Sequence, residues 1–147
     1  MTPSRHTVVS ILISIPFGMA SQSWVGAITC FLSGIFIDLD HVIDFVANKK
    51  KLFRSYDEFF SFFERERKGK LYLIFHSYEL LFVFWLLIMI YQLNSIWVGL
   101  ALGMTVHMFC DQITNPLRPF VYFWVYRLRY RFAKEYIYTH ECYQTMK

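Results

Sequence analysis

The sequence predicts an all-α protein: a polytopic membrane bundle of four helices in two hairpins, with an amphipathic cytoplasmic helix and an interfacial aromatic and basic tail. Three observations predict it. The 147 residues are 56% hydrophobic and 20% aromatic, rich for a soluble domain of this length. All fifteen Lys and Arg are Arg5, the block from Lys49 to Lys70, and the tail from Arg118 to Lys147, which leaves two long stretches with none. Each of those stretches is divided by a short polar break, Ser21-Gln22-Ser23 in the first and Gln92-Leu93-Asn94-Ser95 in the second. Each half then reads as a helix and each pair as a hairpin. Every basic residue falls on one side, which the positive-inside rule places in the cytoplasm together with both termini, so the inner (plasma) membrane is the expected location. The length fits a single membrane-embedded domain.

The first helix is expected over residues 3–20, with Thr2 as N-cap, Pro3 in the first turn and Pro16 as a kink. Arg5 and the run Ile11 to Ala20 would also fit a signal peptide, but the next run, Trp24 to Ile37, is equally apolar and would then need its own explanation. The second helix is expected over 23–46. The cytoplasmic loop 48–70 contains Ser55-Tyr56-Asp57-Glu58, a capping-box pattern. Tyr56, Phe59, Phe60 and Phe63 follow at helical spacing. That stretch reads as a helix lying on the inner leaflet, or as a solvated helix packed on its neighbours. Residues 71–91 give the longest apolar run and the third helix; residues 95–112 give the fourth, stopped by Thr114-Asn115-Pro116. In the tail 113–147, Arg127, Arg129 and Arg131 alternate with Tyr126, Leu128, Tyr130 and Phe132. That pattern fits an extended segment, the preceding Phe-Val-Tyr-Phe-Trp run an interfacial helix, and both suit headgroup depth. Cys30, Cys110 and Cys142 form no CxxC pair, so neither a disulfide framework nor a thiolate metal site is expected.

The polar residues of the apolar stretches carry the chemistry. Asp38-Leu39-Asp40-His41-Val42-Ile43-Asp44 packs three carboxylates and an imidazole into seven residues at the end of an apolar run, where charge is costly unless compensated. Asp38 and His41 share a helical face; Asp40 does not, so either the helix opens at 38–40 or Asp40 points to the basic loop. Asp44 reads as solvated and paired with Lys49 to Lys51. His107 and Asp111 are four apart and face one point, and His76 and Glu79 are three apart and would do likewise on a helix. With His6 these residues come from all four helices, each near the cytoplasmic end. Asp38, His41, His107 and Asp111 rank first as metal ligands; His6, His76, Asp40 and Glu79 follow. His140-Glu141 reads as plain surface. Such ligands suit one or two divalent ions, Zn before Mn or Mg, with Glu79 or Asp40 as general base. No Gly-rich phosphate loop, Ser-His-Asp arrangement or HExxH is present, so hydrolytic chemistry would belong to metal-activated water.

As an ordered set, His6, Asp38-Leu39-Asp40-His41, His76-Ser77 and His107 to Asp111 resemble the YdjM-like family of small inner-membrane proteins described as metal-dependent hydrolases. The resemblance covers about residues 1–120. Two positions depart from the family pattern: Ile37 stands where a Pro is common, and Leu71 and Tyr72 stand where a His and an Arg are common. The resemblance implies a metal centre at those residues and hydrolysis at the cytoplasmic face. The H-x-x-x-D pair is also similar to pairs in all-helical zinc phospholipases, which points to a phosphoester or lipid-like substrate. Anionic lipid headgroups are the expected partners, ahead of nucleic acid. The competing expectations are a non-catalytic metal-binding or cation-transport protein, and a membrane anchor whose His/Asp cluster is structural.

Overall fold

The computed structural model describes residues 3–146, so the Thr2 half of the expected N-terminal cap lies outside the described residues. Among those residues the regular structure is helical: α1 (Pro3–Ala20), α2 (Trp24–Phe36), α3 (Leu39–Lys49), α4 (Tyr56–Glu64), α5 (Tyr78–Tyr91), α6 (Ser95–Thr114), α7 (Trp124–Arg129), α8 (Lys134–Ile137) and α9 (His140–Thr145). Isolated antiparallel bridges pair Lys70 with Ala133 and Leu117 with Tyr138. The chain divides into two compact units, one formed by the residues up to Ile37 with Tyr78–Asn115, the other by Asp38–Ser77 with the residues from Pro116 on.

In the first unit the two polar breaks are tight turns built alike. Gln22 and Gln92 take left-handed φ of 51° and 47°. The Ser23 side chain then accepts the Gly26 N–H and caps α2, and the Asn94 side chain accepts the Ile96 N–H and caps α6. The α2 and α6 backbones approach closely because both helices present small residues. A Cβ at Gly99 would overlap the Gly26 carbonyl oxygen, and one at Gly103 would overlap the Cys30 carbonyl oxygen. This is the small-residue packing by which helices associate where hydrophobic burial supplies no drive between them. The Thr29 hydroxyl bridges the same seam, at 2.9 Å from the Ile96 carbonyl, and the Trp85 indole donates to Thr105 Oγ1 at 3.0 Å to hold α5 on α6.

The second expected helix, 23–46, is two helices, because the chain opens at Ile37-Asp38 between α2 and α3. The third expected helix, 71–91, begins only at Tyr78. Residues 70–77 instead form an irregular strap whose backbone groups are taken by side chains of the second unit. Asn48 exchanges two hydrogen bonds with Lys70, at 2.7 and 2.8 Å. Leu71 N–H reaches the Phe132 carbonyl at 3.0 Å. Asp44 accepts the N–H groups of Tyr72 and Leu73 at 3.0 and 3.1 Å. Buried backbone that is satisfied this way has no need of a helix. Asp44 is therefore fully buried, not solvated and paired with the lysines as its sequence position suggested.

The aromatic face of α4 is also used inside this unit. Phe62 and Phe63 are buried, and Phe45, Phe53, Phe59, Phe62 and Phe63 form one ring cluster with centroids 4.9 to 5.9 Å apart. Of the expected stripe, Phe59 and Phe63 pack into this cluster with Phe45 of α3, while Tyr56 and Phe60 remain exposed. Lys134 lies over the Phe62 ring at 3.6 Å and donates to the Phe62 and Glu66 carbonyls at the C-terminal end of α4. Burial pulls its amine down to about 8. The tail follows neither simple expectation, because α7 occupies 124–129 and is followed by Arg131 and Phe132 at left-handed φ of 53° and 61°.

Two outcomes are expected from this packing. Gly103→Val forces the α2 and α6 backbones apart and should lower stability by about 2 to 3 kcal/mol, read from a denaturant titration in detergent; an unchanged midpoint would refute the seam. For Lys134, the folded amine titrates lower than the unfolded one, so the folded state carries a penalty below pH 8 that is relieved as pH rises from 8 toward 10.5. Stability relative to Lys134→Met should rise across that window, by at most about 3 kcal/mol.

Candidate functional site: two His/Asp sets

The strap carries the first ligand into place. Asp40, fully buried in the first turn of α3, accepts the N–H groups of Phe75 and His76 through Oδ2 at 3.1 and 3.3 Å. The same oxygen lies 2.9 Å from His76 Nδ1. A carboxylate only accepts, so Nδ1 carries the proton and the lone pair of Nε2 is left for another partner. From the other side of the strap, the buried Arg127 guanidinium donates to the carbonyls of Tyr72, Leu73 and His76, the last two at 2.6 and 2.9 Å. The strap is thus gripped by carboxylates on its N–H groups and by one guanidinium on its C=O groups.

His76 Nε2 lies 3.6 Å from Asp38 Oδ1, and His41 Nε2 lies 3.5 Å from the same oxygen. Ligands about 2.1 Å from a tetrahedral ion stand about 3.4 Å from one another, so these spacings fit one. Asp40, His41 and His76 likewise offer ligand atoms within 4.8 Å of one another. The remaining Asp40 oxygen, Oδ1, is buried with no hydrogen-bond partner among the described residues, and such an oxygen is destabilising unless a donor, a water or a cation meets it. Burial alone would raise the Asp40 carboxyl; the imidazoles of His76 and His41 and the Phe75 N–H outweigh it and hold the group below the ordinary carboxylate value. Asp38 and His41 are half-buried while His76 and Asp40 are closed off. This is a buried Asp/His group able to hold a metal ion.

The first unit holds a second set. His6 Nε2 is 3.0 Å from one oxygen of Asp111, and His107 Nε2 is 3.4 Å from the other. The two imidazoles stack, with centroids 3.8 Å apart and planes at 12°. His107 Nδ1 is 2.7 Å from the Gly34 carbonyl, which fixes the proton on Nδ1 and turns Nε2 toward the carboxylate. All three side chains are buried.

The structure thus groups Asp38, Asp40, His41 and His76 in one unit and His6, His107 and Asp111 in the other. The opening at Asp38 realises the first of the two alternatives for Asp40, which turns inward. The helical-face argument for His76 and Glu79 fails, because His76 precedes α5 while Glu79, half-buried, lies in its first turn. His140 is exposed on α9. Sequence reasoning missed Arg127, which sits in a basic run with nothing local to set it apart from Arg129 and Arg131. No protein family, curated protein or solved structure matches the chain.

Asp40→Asn would put an amide where three donors converge. It should release the strap and destabilise the fold by about 3 to 5 kcal/mol, with faster hydrogen exchange at the Phe75 and His76 amides than at the amides of α6. Unchanged exchange at those two amides would show that the strap is held by something else.

Proposed function

We propose that the protein is a membrane-embedded, metal-dependent hydrolase acting on a phosphoester or lipid-like substrate. The observation that supports it most is that Asp40, His41 and His76 offer ligand atoms within 4.8 Å of one another, with Asp38 Oδ1 at 3.5 and 3.6 Å from the two imidazoles. A divalent ion at such ligands supplies Lewis acidity and a nucleophile from water at neutral pH. His41 and His76 would hold it with Asp38 or Asp40 as the carboxylate ligand; in the first case Asp40 would orient His76 through Nδ1 in the manner of outer-shell carboxylates. His6, His107 and Asp111 form a second candidate ligand set, so one or two ions are proposed, Zn before Mn or Mg. Glu79 is the candidate base, since Asp40 Oδ2 already accepts from three groups. The ordered resemblance to the YdjM-like hydrolases points the same way.

The membrane part of the proposal rests on the inverted polarity of the first unit. It buries His6, Ser10, Ser14, His107 and Asp111 while leaving Leu12, Met19, Trp24, Phe82, Met89 and Ile90 largely exposed. A protein in water has the reverse pattern, and ionisable groups inside a lipid-facing bundle are usually functional. One helix, α6, is long and apolar enough to cross a bilayer, and α5 is apolar but shorter. The lack of Lys and Arg from Leu71 to Leu117 supports inner-membrane placement with cytoplasmic termini.

Full-length protein purified in detergent should contain stoichiometric transition metal by elemental analysis, and should hydrolyse a chromogenic phosphodiester or a phospholipid in a chelator-sensitive way. His76→Ala should abolish metal retention, and Asp40→Ala should weaken metal affinity by about 10- to 100-fold. Metal-free protein that cannot be reloaded, with no hydrolysis on either substrate, would leave the His/Asp sets as structural networks.

A further inference from the structure

The basic and aromatic tail contains an exposed apolar surface. Between Pro119 and Arg129, α7 and the turn before it leave five large apolar side chains exposed: Phe120 (61%), Phe123, Trp124, Val125 (72%) and Leu128 (62%). Trp124, Val125 and Leu128 are spaced i, i+1, i+4 and share one face of α7. On α4, by comparison, Phe59, Phe62 and Phe63 join the ring cluster of the same unit. Charge around the patch has one sign. Arg129 and Arg131 are exposed and Arg118 is half-buried, and no Asp or Glu occurs from Gln112 to Lys134. Arg127, the fourth arginine of the region, is buried on the strap carbonyls and lies 5.8 Å from the centre of the Trp124 ring, supporting that side chain from beneath.

We infer that the α7 surface docks on a bilayer bearing anionic headgroups, with Phe120, Val125 and Leu128 entering the acyl boundary and Arg129 and Arg131 meeting the phosphates. A water-exposed apolar patch of this kind marks an interaction site. Trp, Phe and Tyr mixed with Arg and free of acidic residues match the headgroup layer, where amphipathic rings and cations are both favoured. The inference rests on the membrane reading for the nearness of a bilayer, but its residues all belong to the other unit and touch neither ligand set by role.

The test uses the full chain with its three cysteines replaced, a single Val125→Cys or Leu128→Cys carrying a nitroxide, and reconstitution in vesicles containing phosphatidylglycerol. Collision with oxygen should dominate over collision with an aqueous nickel chelate at both positions. The labels should move toward water in phosphatidylcholine vesicles or when Arg129→Glu and Arg131→Glu are added. A nitroxide at Phe82→Cys, exposed on α5 (68%), serves as reference. Lipid-like behaviour at 82 with aqueous behaviour at 125 and 128 would overturn the docking surface and leave the membrane reading standing. Aqueous behaviour at all three would overturn both. Dipolar broadening between Val125→Cys labels would show that a second copy covers the patch, which also overturns the inference.

Discussion

The strap from Lys70 to Ser77 exists because two carboxylates and one guanidinium take over the hydrogen bonds that a helix would have made. Asp44 and Asp40 accept four of its N–H groups, and Arg127 donates to three of its carbonyls. Without them the strap would bury unpaired backbone at about 1 to 3 kcal/mol for each group. With them it can depart from helix geometry far enough to bring His76 beside Asp38 and His41. Leu73 even adopts a φ of 47°, an uncommon choice for a branched residue that the surrounding bonds over-determine. The charges are themselves balanced by this arrangement, since acidic groups on one side of the strap meet Arg127 on the other. One polar network therefore fixes the backbone, justifies the burial of its own charges and aims an imidazole.

The other unit solves a different problem. Its helices cannot be held together by apolar burial if their apolar side chains face outward, so contact depends on surfaces that let the backbones touch. Gly26, Gly34, Gly99 and Gly103 do this, helped by Ser10, Thr29 and Ser33. The Gly34 carbonyl that lies in this seam is the one that receives His107 Nδ1. Packing and ligand orientation are thus coupled at a single residue, because a bulkier side chain at 34 would displace both Ser10 and the carbonyl next to it.

What could be read from the sequence was the local part of this. The polar breaks at Gln22 and Gln92, the cap at Ser55, the full span of α1, and the pairing of His107 with Asp111 all follow from short-range chemistry, and all are present. So is the Asp38–His41 pair at i, i+3. The strap was not readable, since Leu71 to Phe75 is as apolar as the helix after it, and what unmakes the helix lies 28 to 36 residues earlier and 51 to 55 later in the chain. The burial of Asp44 was hidden for the same reason: near Lys49 to Lys51 in sequence, it bonds instead to amides that no periodicity assigns to it. The seam glycines Gly99 and Gly103 are four residues apart and Gly26 and Gly34 eight, but which helix they face is set by the packing of α2 on α6 and not by their own spacing.

A metal site and a structural network make opposite demands on a carboxylate, and Asp40 shows both. A purely structural carboxylate at this position would spend both oxygens on donors, because leaving one idle in the interior weakens the fold. Asp40 concentrates three donors on Oδ2 and leaves Oδ1 without a hydrogen-bond partner. Oδ2 alone suffices to fix the strap and the His76 ring, so the second oxygen has no structural role among the described residues. A cation or a water donor would each satisfy Oδ1, and a cation would add to the positive charge that the His76 and His41 imidazoles already bring to Asp40. The strap thus rests on Oδ2 alone, and Oδ1 is a buried acceptor beside a group of side chains able to hold a metal ion.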